Sequence, residues 1–405
     1  MRAYSTIKHC RICKSQKLEL LKDFGLLYLS NFIDTENSSD EQKVPLRLIR
    51  CQSCQLVQLG ENTNKNLLYR DNYWYFSGIT QTMRDALKDI VDKAMEHVNL
   101  EDGDTVLDIG SNDGTLLSNY PKSIKTIGFE PAQIFSTTES SNISIFINQF
   151  WNKELYHKHS KKKAKIITAI AMLYDLEDPV TFIKDVHSCL DEQGIFITQF
   201  MGLYHMLKAY DFGNICHEHL LYYDLENLKK LFNQNGLAIT HIESNLVNGG
   251  SYRIYARKGV KNSSLLEKYI SREKEVSMES LLHHFFKVID QSKTEALAFF
   301  HSQKKKGKKV WVYGASTKGN MILQYFNLDS KLIEAASERT ELKWGKYTVG
   351  THIPIYSEEK ARRLKPDYFL ILPYAFKDEM IKRESRWVDQ GGQFLKLFPS
   401  FGTTH

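Results

Sequence analysis

The sequence predicts an α/β chain in three parts. A small cysteine-rich module covers residues 1–75, a doubly wound domain 76–262, and a smaller, second α/β domain 263–405. Three observations carry this division. Four of the six cysteines fall in two close pairs before residue 75. Short β-rich runs alternate with helical or loop segments from 105 to 200. After a long helical stretch, the same alternation resumes at 310.

In chain order, the first signal is Cys10-Arg-Ile-Cys13 and Cys51-Gln-Ser-Cys54, two C-x-x-C knuckles. Each knuckle bends tightly enough to place two thiolates on one ion. Two knuckles complete a closed tetrahedral set, the pattern of structural zinc. A chain of 405 residues can bury a sizeable core and needs no disulfide scaffold. Neither knuckle sits at the end of a βα unit, as a redox pair would. The polar stretch 35–43 reads as a loop.

From Ser77 the pattern changes. Ile79, Met83, Leu87, Ile90, Val91, Ala94 and Val98 recur at helical spacing and predict an amphipathic helix opening the second domain. TVLDIG (105–110), KTIGFE (125–130), ISIFIN (143–148), KIITAI (165–170) and GIFITQF (194–200) read as strands of a parallel sheet with crossovers. A helical stretch from 264 to 300 leads to KKKGKK (304–309), which reads as a solvated helix end rather than a nucleic-acid patch. Strand VWVYGA (310–315), helix STKGNMILQYF, and strands LIEAAS (332–337) and YFLILPY (368–374) then form the second doubly wound unit.

Composition is that of an ordinary globular protein, with 42% apolar and 25% charged residues. The net charge of +6 is a mild excess that suits a diphosphate and does not single out nucleic acid. No window approaches the ~18 apolar residues of a membrane span. No signal peptide is seen at the N-terminus, so the expectation is a cytoplasmic protein without membrane partners.

The chemistry centres on Asp108-Ile-Gly110-Ser-Asn112-Asp113-Gly114, a strand, a glycine turn and a helix start. Gly110 and Gly114 let backbone approach a ligand, and such a turn in an open sheet is a nucleotide-type site. The spacing departs from the dinucleotide G-x-G-x-x-G, and carboxylates flank the turn. They argue against phosphate and suit the ammonium of a methionine moiety. Glu130, ending the second strand, can take both ribose hydroxyls of an adenosine. Gln149 and Phe150 follow the third strand, where an adenine would lie.

These segments, with Tyr73-Trp-Tyr75, His217-Glu218-His219, Tyr222-Tyr223, Gly249-Gly250-Ser251-Tyr-Arg253, YGASTKGN (313–320) and Gly350-Thr-His352-Ile-Pro354, occur in an ordered series. The series resembles the nucleotide-sugar C-methyltransferases of deoxysugar pathways over nearly the whole chain. The resemblance implies a class I, Rossmann-like methyltransferase domain between a zinc-binding module and a C-terminal Rossmann-like domain that helps hold the sugar nucleotide. It implies S-adenosylmethionine as cofactor and a nucleotide-linked 4-keto-deoxysugar as substrate. Methylation at C3 would serve a surface polysaccharide or secondary metabolite.

By the same resemblance His219 is the base that removes the proton beside the ketone, with Glu218 next to it. Tyr73 or Tyr75 lies at the sugar, and His217 or Tyr223 is the next candidate base. Asn248, Gly249, Arg253, Ser316, Lys318 and His352 would line the substrate site. Four positions depart from the family pattern: Cys216 for tyrosine, Asp175 for histidine, Gln199 for an acid and Asn248 for histidine. They leave the sugar and the methylated carbon open. An O- or N-methyltransferase, or a non-catalytic sugar-nucleotide binder, would keep the same cofactor loop. Nucleotide carrier and oligomeric state are likewise open, a monomer being compatible.

Overall fold

A computed structural model describes residues 3–35, 42–136 and 143–404, the Ala375 side chain excepted. Residues 36–41 of the expected 35–43 loop lie outside the described residues. The N-terminal module holds β1 (Tyr4–Thr6), β2 (Leu18–Tyr28), β3 (Phe32–Ile33), β4 (Lys43–Cys51), β5 (Val57–Leu59) and β6 (Glu61–Thr63). Strand β4 buries Val44, Leu46 and Leu48 on one face, the period-2 pattern of a half-covered strand. β2, β4 and β5 pair antiparallel, and a fourth strand, Leu221–Tyr222, joins β5 from far along the chain. The module's sheet is thus completed by the central region.

Helix α1 (Gln81–His97) opens that region and buries Met83, Leu87, Ile90, Val91 and Ala94 on one stripe. It starts two residues after the expected Ile79 because the Thr80 hydroxyl accepts from the Met83 N–H, leaving Ile79 40% exposed outside. There follow β7 (Thr105–Ile109), β8 (Lys125–Phe129), β9 (Ile145–Ile147), α2 (Lys153–His159), β10 (Ala164–Ile170), α3 (Pro179–Cys189), β11 (Leu190–Phe200), α4 (Leu203–Ala209), β12 (Leu221–Tyr222), α5 (Leu225–Asn233), β13 (Leu237–Asn245) and β14 (Ser251–Lys258). The seven-stranded sheet runs β13-β14-β11-β10-β7-β8-β9. β7 to β11 are parallel, and β14 is antiparallel to both β11 and β13. The chain leaves β7 for β8 on one side and returns to β10 on the other. The crevice beyond the end of β7 is therefore the topological switch point.

The helical stretch expected from 264 to 300 comes as two helices, α6 (Ser264–Lys274) and α7 (Met278–Lys305). The Ser277 hydroxyl accepts from Ser280 N–H and starts a new helix there. β15 (Val310–Tyr313), α8 (Thr317–Phe326), β16 (Ala335–Glu338), β17 (Tyr347–Thr348), β18 (Ile355–Ser357), α9 (Glu358–Leu364), β19 (Tyr368–Ile371), β20 (Gln393–Lys396) and β21 (Gly402–Thr404) complete the described strands. Their sheet runs β18-β16-β15-β19-β20-β21, parallel except at β21. β16 begins later than the expected 332, because the Leu332 and Ile333 N–H groups are used on the Asp329 carbonyl. Among the described residues no helix is long and apolar enough to cross a membrane.

The three regions meet around α8. Asn320 donates to the Asn31 carbonyl (2.7 Å), Ser30 to the Thr317 carbonyl (2.9 Å), and the Tyr28 N–H to Gln324 (2.7 Å). β17 pairs with β3.

Candidate active site

The four knuckle cysteines converge. Their sulfurs all lie within 4.8 Å of one another, with Cys10 to Cys54 at 3.6 Å and Cys13 to Cys51 at 3.5 Å. A tetrahedron with Zn–S near 2.3 Å has sulfurs about 3.8 Å apart, so the donor set fits one zinc ion. The two knuckles repeat one turn. Lys14 N–H bonds the Cys10 carbonyl and Gln55 N–H the Cys51 carbonyl, and Lys14 and Gln55 are both left-handed. The Cys54 thiol donates to Cys10 and holds the Cys10 thiol down at about 4.

At the end of β7 the expected glycine turn forms, but the helix start expected after it does not: the chain goes on to a single 3-10 turn, Leu117–Asn119, before β8. Gly110, Asn112 and Gly114 all have positive φ (76°, 53° and 80°). The Glu130 carboxylate accepts from the backbone N–H of Asn112 (3.0 Å) and of Ala132 (2.9 Å). Burial, with the Asp113 charge nearby, pushes Glu130 up to about 7. Asp108 takes a hydrogen bond from Thr168 (2.5 Å) and is likewise raised to about 7 by burial. Asp113 and Asn112 tie the turn to the chain entering α1. The Gly78 N–H donates to Asp113 (2.7 Å), the Ser77 N–H to the Asn112 side chain (2.8 Å), and that side chain to the Tyr75 carbonyl (3.0 Å). Tyr75 itself is 42% exposed. Gln149 is exposed beyond β9, and Lys65 Nζ lies 4.4 Å from the centre of the Phe150 ring.

The H-E-H segment divides its work. His217 is buried with Nε2 3.1 Å from the Val44 carbonyl, so it ties the segment to β4; burial lowers it to about 4. His219 Nδ1 lies 2.9 Å from the Asn214 carbonyl. A carbonyl only accepts, so Nδ1 carries the hydrogen and Nε2 the lone pair. The ring packs on Tyr174 at 4.3 Å, and burial, helped by nearby Lys318, lowers His219 to about 3. The imidazole is neutral at working pH. Glu218 and Asp175 face the same space, each raised by burial and Asp175 also by Glu218. Tyr73 is raised by burial and by the charges of Glu130 and Asp175, which places it between the turn and the H-E-H segment. The Tyr223 hydroxyl is used on the Leu173 carbonyl (3.3 Å).

Among the expected substrate residues, Lys318 in the first turn of α8 reaches Asn214 Oδ1 (3.0 Å) and so enters this cluster. The Ser316 hydroxyl caps α8 on Gly319 N–H (2.9 Å). Asn248 and Gly249 form a positive-φ turn beside Leu246, which is 90% exposed. His352 is left-handed in the turn after β17. Arg253 is buried and committed to Gln199 (2.8 Å) and Asp89 (2.7 Å), which bind β14 to β11 and α1. Sequence reasoning missed Asn214, whose carbonyl and amide organise His219, Tyr222 and Lys318. No residue type signals a working backbone carbonyl. It also missed Tyr69, on a single π-turn (Asn66–Arg70), which donates to the Glu218 carbonyl (2.5 Å).

Three family models match the chain in order. They are "Putative zinc binding domain" over residues 10–69, "Methyltransferase domain" over 79–242 and "C-methyltransferase C-terminal domain" over 246–399. The C-methyltransferase NovU of Streptomyces niveus is 25% identical, covering 97% of this chain and 96% of its own. A tRNA U34 carboxymethyltransferase of Nautilia profundicola is 33% identical over 24% of this chain and 34% of its own. The solved structure of an S-adenosylmethionine-dependent methyltransferase from Clostridium acetobutylicum ATCC 824 aligns over 44% of this chain and 92% of its own. Its identity is 15% and its TM-score 0.36.

Proposed function

The chain belongs to the C-methyltransferase family that carries an N-terminal zinc-binding module, and from that premise we propose its reaction. It transfers a methyl group from S-adenosylmethionine to the carbon beside the ketone of a nucleotide-linked 4-keto-deoxysugar, at C3. The observation that carries this reading is His219. It is a buried, neutral imidazole whose Nδ1 is anchored on Asn214, leaving Nε2 free to accept a proton.

S-adenosylmethionine supplies an electrophilic methyl on a sulfonium. The Gly110–Gly114 turn would admit it closely, Glu130 would take the ribose hydroxyls, Asp108 and Asp113 would face the ammonium, and Gln149 and Phe150 would border the adenine. His219 removes the sugar proton and the C–H electrons flow towards the ketone oxygen. Tyr73 and Tyr75 orient the ring. Lys318, Ser316, Asn248, Gly249 and His352 hold the nucleotide sugar from the C-terminal side. Arg253 stiffens the sheet beneath. The reduced thiolates of the zinc set suit a cytoplasmic site of action.

The test incubates purified protein with labelled S-adenosylmethionine and thymidine- or guanosine-linked 4-ketosugars in deuterated water. Expected are label in a C–CH3 group and, without the methyl donor, deuterium at the same carbon. Label on oxygen or nitrogen with no exchange would sink the reading. His219→Asn should bind S-adenosylmethionine normally and lose roughly 100-fold or more in exchange and transfer. Metal analysis should find about one zinc per chain, with Cys51→Ser harming folding before catalysis.

A further inference from the structure

An enolate needs a hydrogen-bond donor at the ketone oxygen as much as a base at carbon. Around His219 several candidate donors are already used. The Tyr69 hydroxyl is on the Glu218 carbonyl, Tyr222 on the Asn214 carbonyl and Tyr223 on the Leu173 carbonyl. Lys318 is shared between Asn214 (3.0 Å) and Asp211 (3.9 Å). Two carboxyl oxygens at this site are sealed from solvent and, among the described residues, without a partner: Asp175 Oδ1 and Glu218 Oε2.

Asp175 sits on the turn after β10, whose Leu173 carbonyl is held by Tyr223 and whose Tyr174 packs on His219. The turn is thereby fixed against the H-E-H segment. We propose that Asp175 is a further catalytic residue, a protonated carboxylic acid that donates its O–H to the ketone oxygen of the sugar. This rests on the ketosugar reading above. His219 Nε2 takes the proton from carbon, the C–H pair forms the new C=C, and the carbonyl pair moves onto oxygen, where the Asp175 hydrogen bond holds it. When the carbon captures the methyl, the ketone reforms, the S–CH3 electron pair stays on sulfur, and His219 returns its proton to solvent. Asp175 keeps its proton throughout.

Two observations favour Asp175 over Glu218 as the protonated member. The charges facing Asp175 are Glu218 from the H-E-H segment, which raises it, and Lys318 of α8, the opposing cation; crowding by protein outweighs that cation. Glu218 is raised by burial too, but its own backbone N–H and Lys318 both favour its carboxylate, while the Cys216 thiol is used on the Asn214 carbonyl (3.9 Å).

Infrared spectroscopy of the ligand-free protein at neutral pH tests the proton directly. The wild-type-minus-Asp175→Asn difference spectrum should carry a carboxylic-acid C=O band and the wild-type-minus-Glu218→Gln spectrum should lack it, since Glu130 and Asp108, themselves raised to about 7, cancel in both. A difference spectrum for Asp175→Asn without that band overturns the proposal whatever the substrate. Exchange on the ketosugar tests the role. Asp175→Val should lose roughly 100-fold or more, while Asp175→Asn, an uncharged donor, should stay within about tenfold. Wild-type exchange should fall as pH rises through the ionisation of Asp175, and Asp175→Asn should lose that limb. An Asn variant as inactive as Val, or a Val variant as active as wild type, overturns the assignment. If the band behaves as expected but wild type exchanges no ketosugar, the ketosugar reading has failed, and the donor role with it.

Discussion

The ends of β7 and β15 are the same turn built twice. Gly110 and Gly114 open the first; Gly314, with φ of 89°, opens the second. Gly110 N–H bonds the Phe129 carbonyl at 2.8 Å and Gly314 N–H the Ser337 carbonyl at 2.8 Å. In each case the next residue is the glutamate that ends the adjacent strand, Glu130 or Glu338, and its carboxylate accepts from the turn's backbone. The surroundings differ. Glu338 accepts from Ala315, Arg339 and Thr340 N–H groups, and Lys343 Nζ lies 3.8 Å away while donating to the Ala315 carbonyl. Glu130 has no such lysine, and burial raises it to about 7. One acid is satisfied internally and holds structure. The other accepts from the Asn112 and Ala132 N–H groups without a facing lysine among the described residues, as a carboxylate proposed to take ribose hydroxyls would. The backbone turn alone does not separate a site from a scaffold; the charge balance around it does.

The sharpest way to break this comparison is at Lys343. Lys343→Met leaves Glu338 buried without its cation and should destabilise the protein by about 3 kcal/mol in denaturant titration. Calorimetric affinity for S-adenosylmethionine should be unchanged. A loss of affinity instead would make the second turn part of the cofactor site. The next effect is at Glu130. Glu130→Ala should weaken S-adenosylmethionine binding by about 1.5–3 kcal/mol, the range for hydrogen bonds to a charged group. Unaltered affinity would remove the assigned ribose contact.

The smallest effect is pH. Hydroxyls donate to a carboxylate, so binding favours ionised Glu130. With Glu130 near 7 in the free protein, affinity should weaken as pH falls below 7, by up to about tenfold per unit for one linked proton. Asp108, also near 7, would steepen the slope. Isothermal titration across pH 6–8 reads this directly. A slope lower by about one linked proton in Glu130→Gln than in wild type would assign that proton to Glu130, and the slope that remains to Asp108.

Part of this was legible in the residues themselves. A C-x-x-C knuckle is a local turn, and two of them state their chemistry without the fold. The alternation of β-rich and helical runs marked β7 through β11, because hydrophobic period follows from which face is buried. Strand-terminal Glu130 and the glycines of the first turn were equally readable, since only glycine takes their left-handed angles without strain. The start of α1 shifted by two residues where Thr80 captured a free N–H, and the stretch from 264 broke in two where Ser277 did the same, a local competition that periodicity does not see.

What the tertiary structure decided is partnership. Nothing in Leu221–Tyr222 announces that it completes the sheet of β2, β4 and β5, because strand pairing between distant segments leaves no local trace. His217 and His219 look alike in sequence. One is used on Val44 and the other is held by Asn214 beside Tyr174. Asp175 reads only as a departure from a family pattern until its Oδ1 is found sealed and unpartnered near Glu218. The sequence by itself determined strands β7 to β11, the paired cysteines and the glycine turn after β7, since these rest on residue type and short spacing. Which acid keeps its charge, which histidine keeps its lone pair and which lysine is spent depend on burial and on neighbours brought in from distant segments. Only the folded chain supplies those.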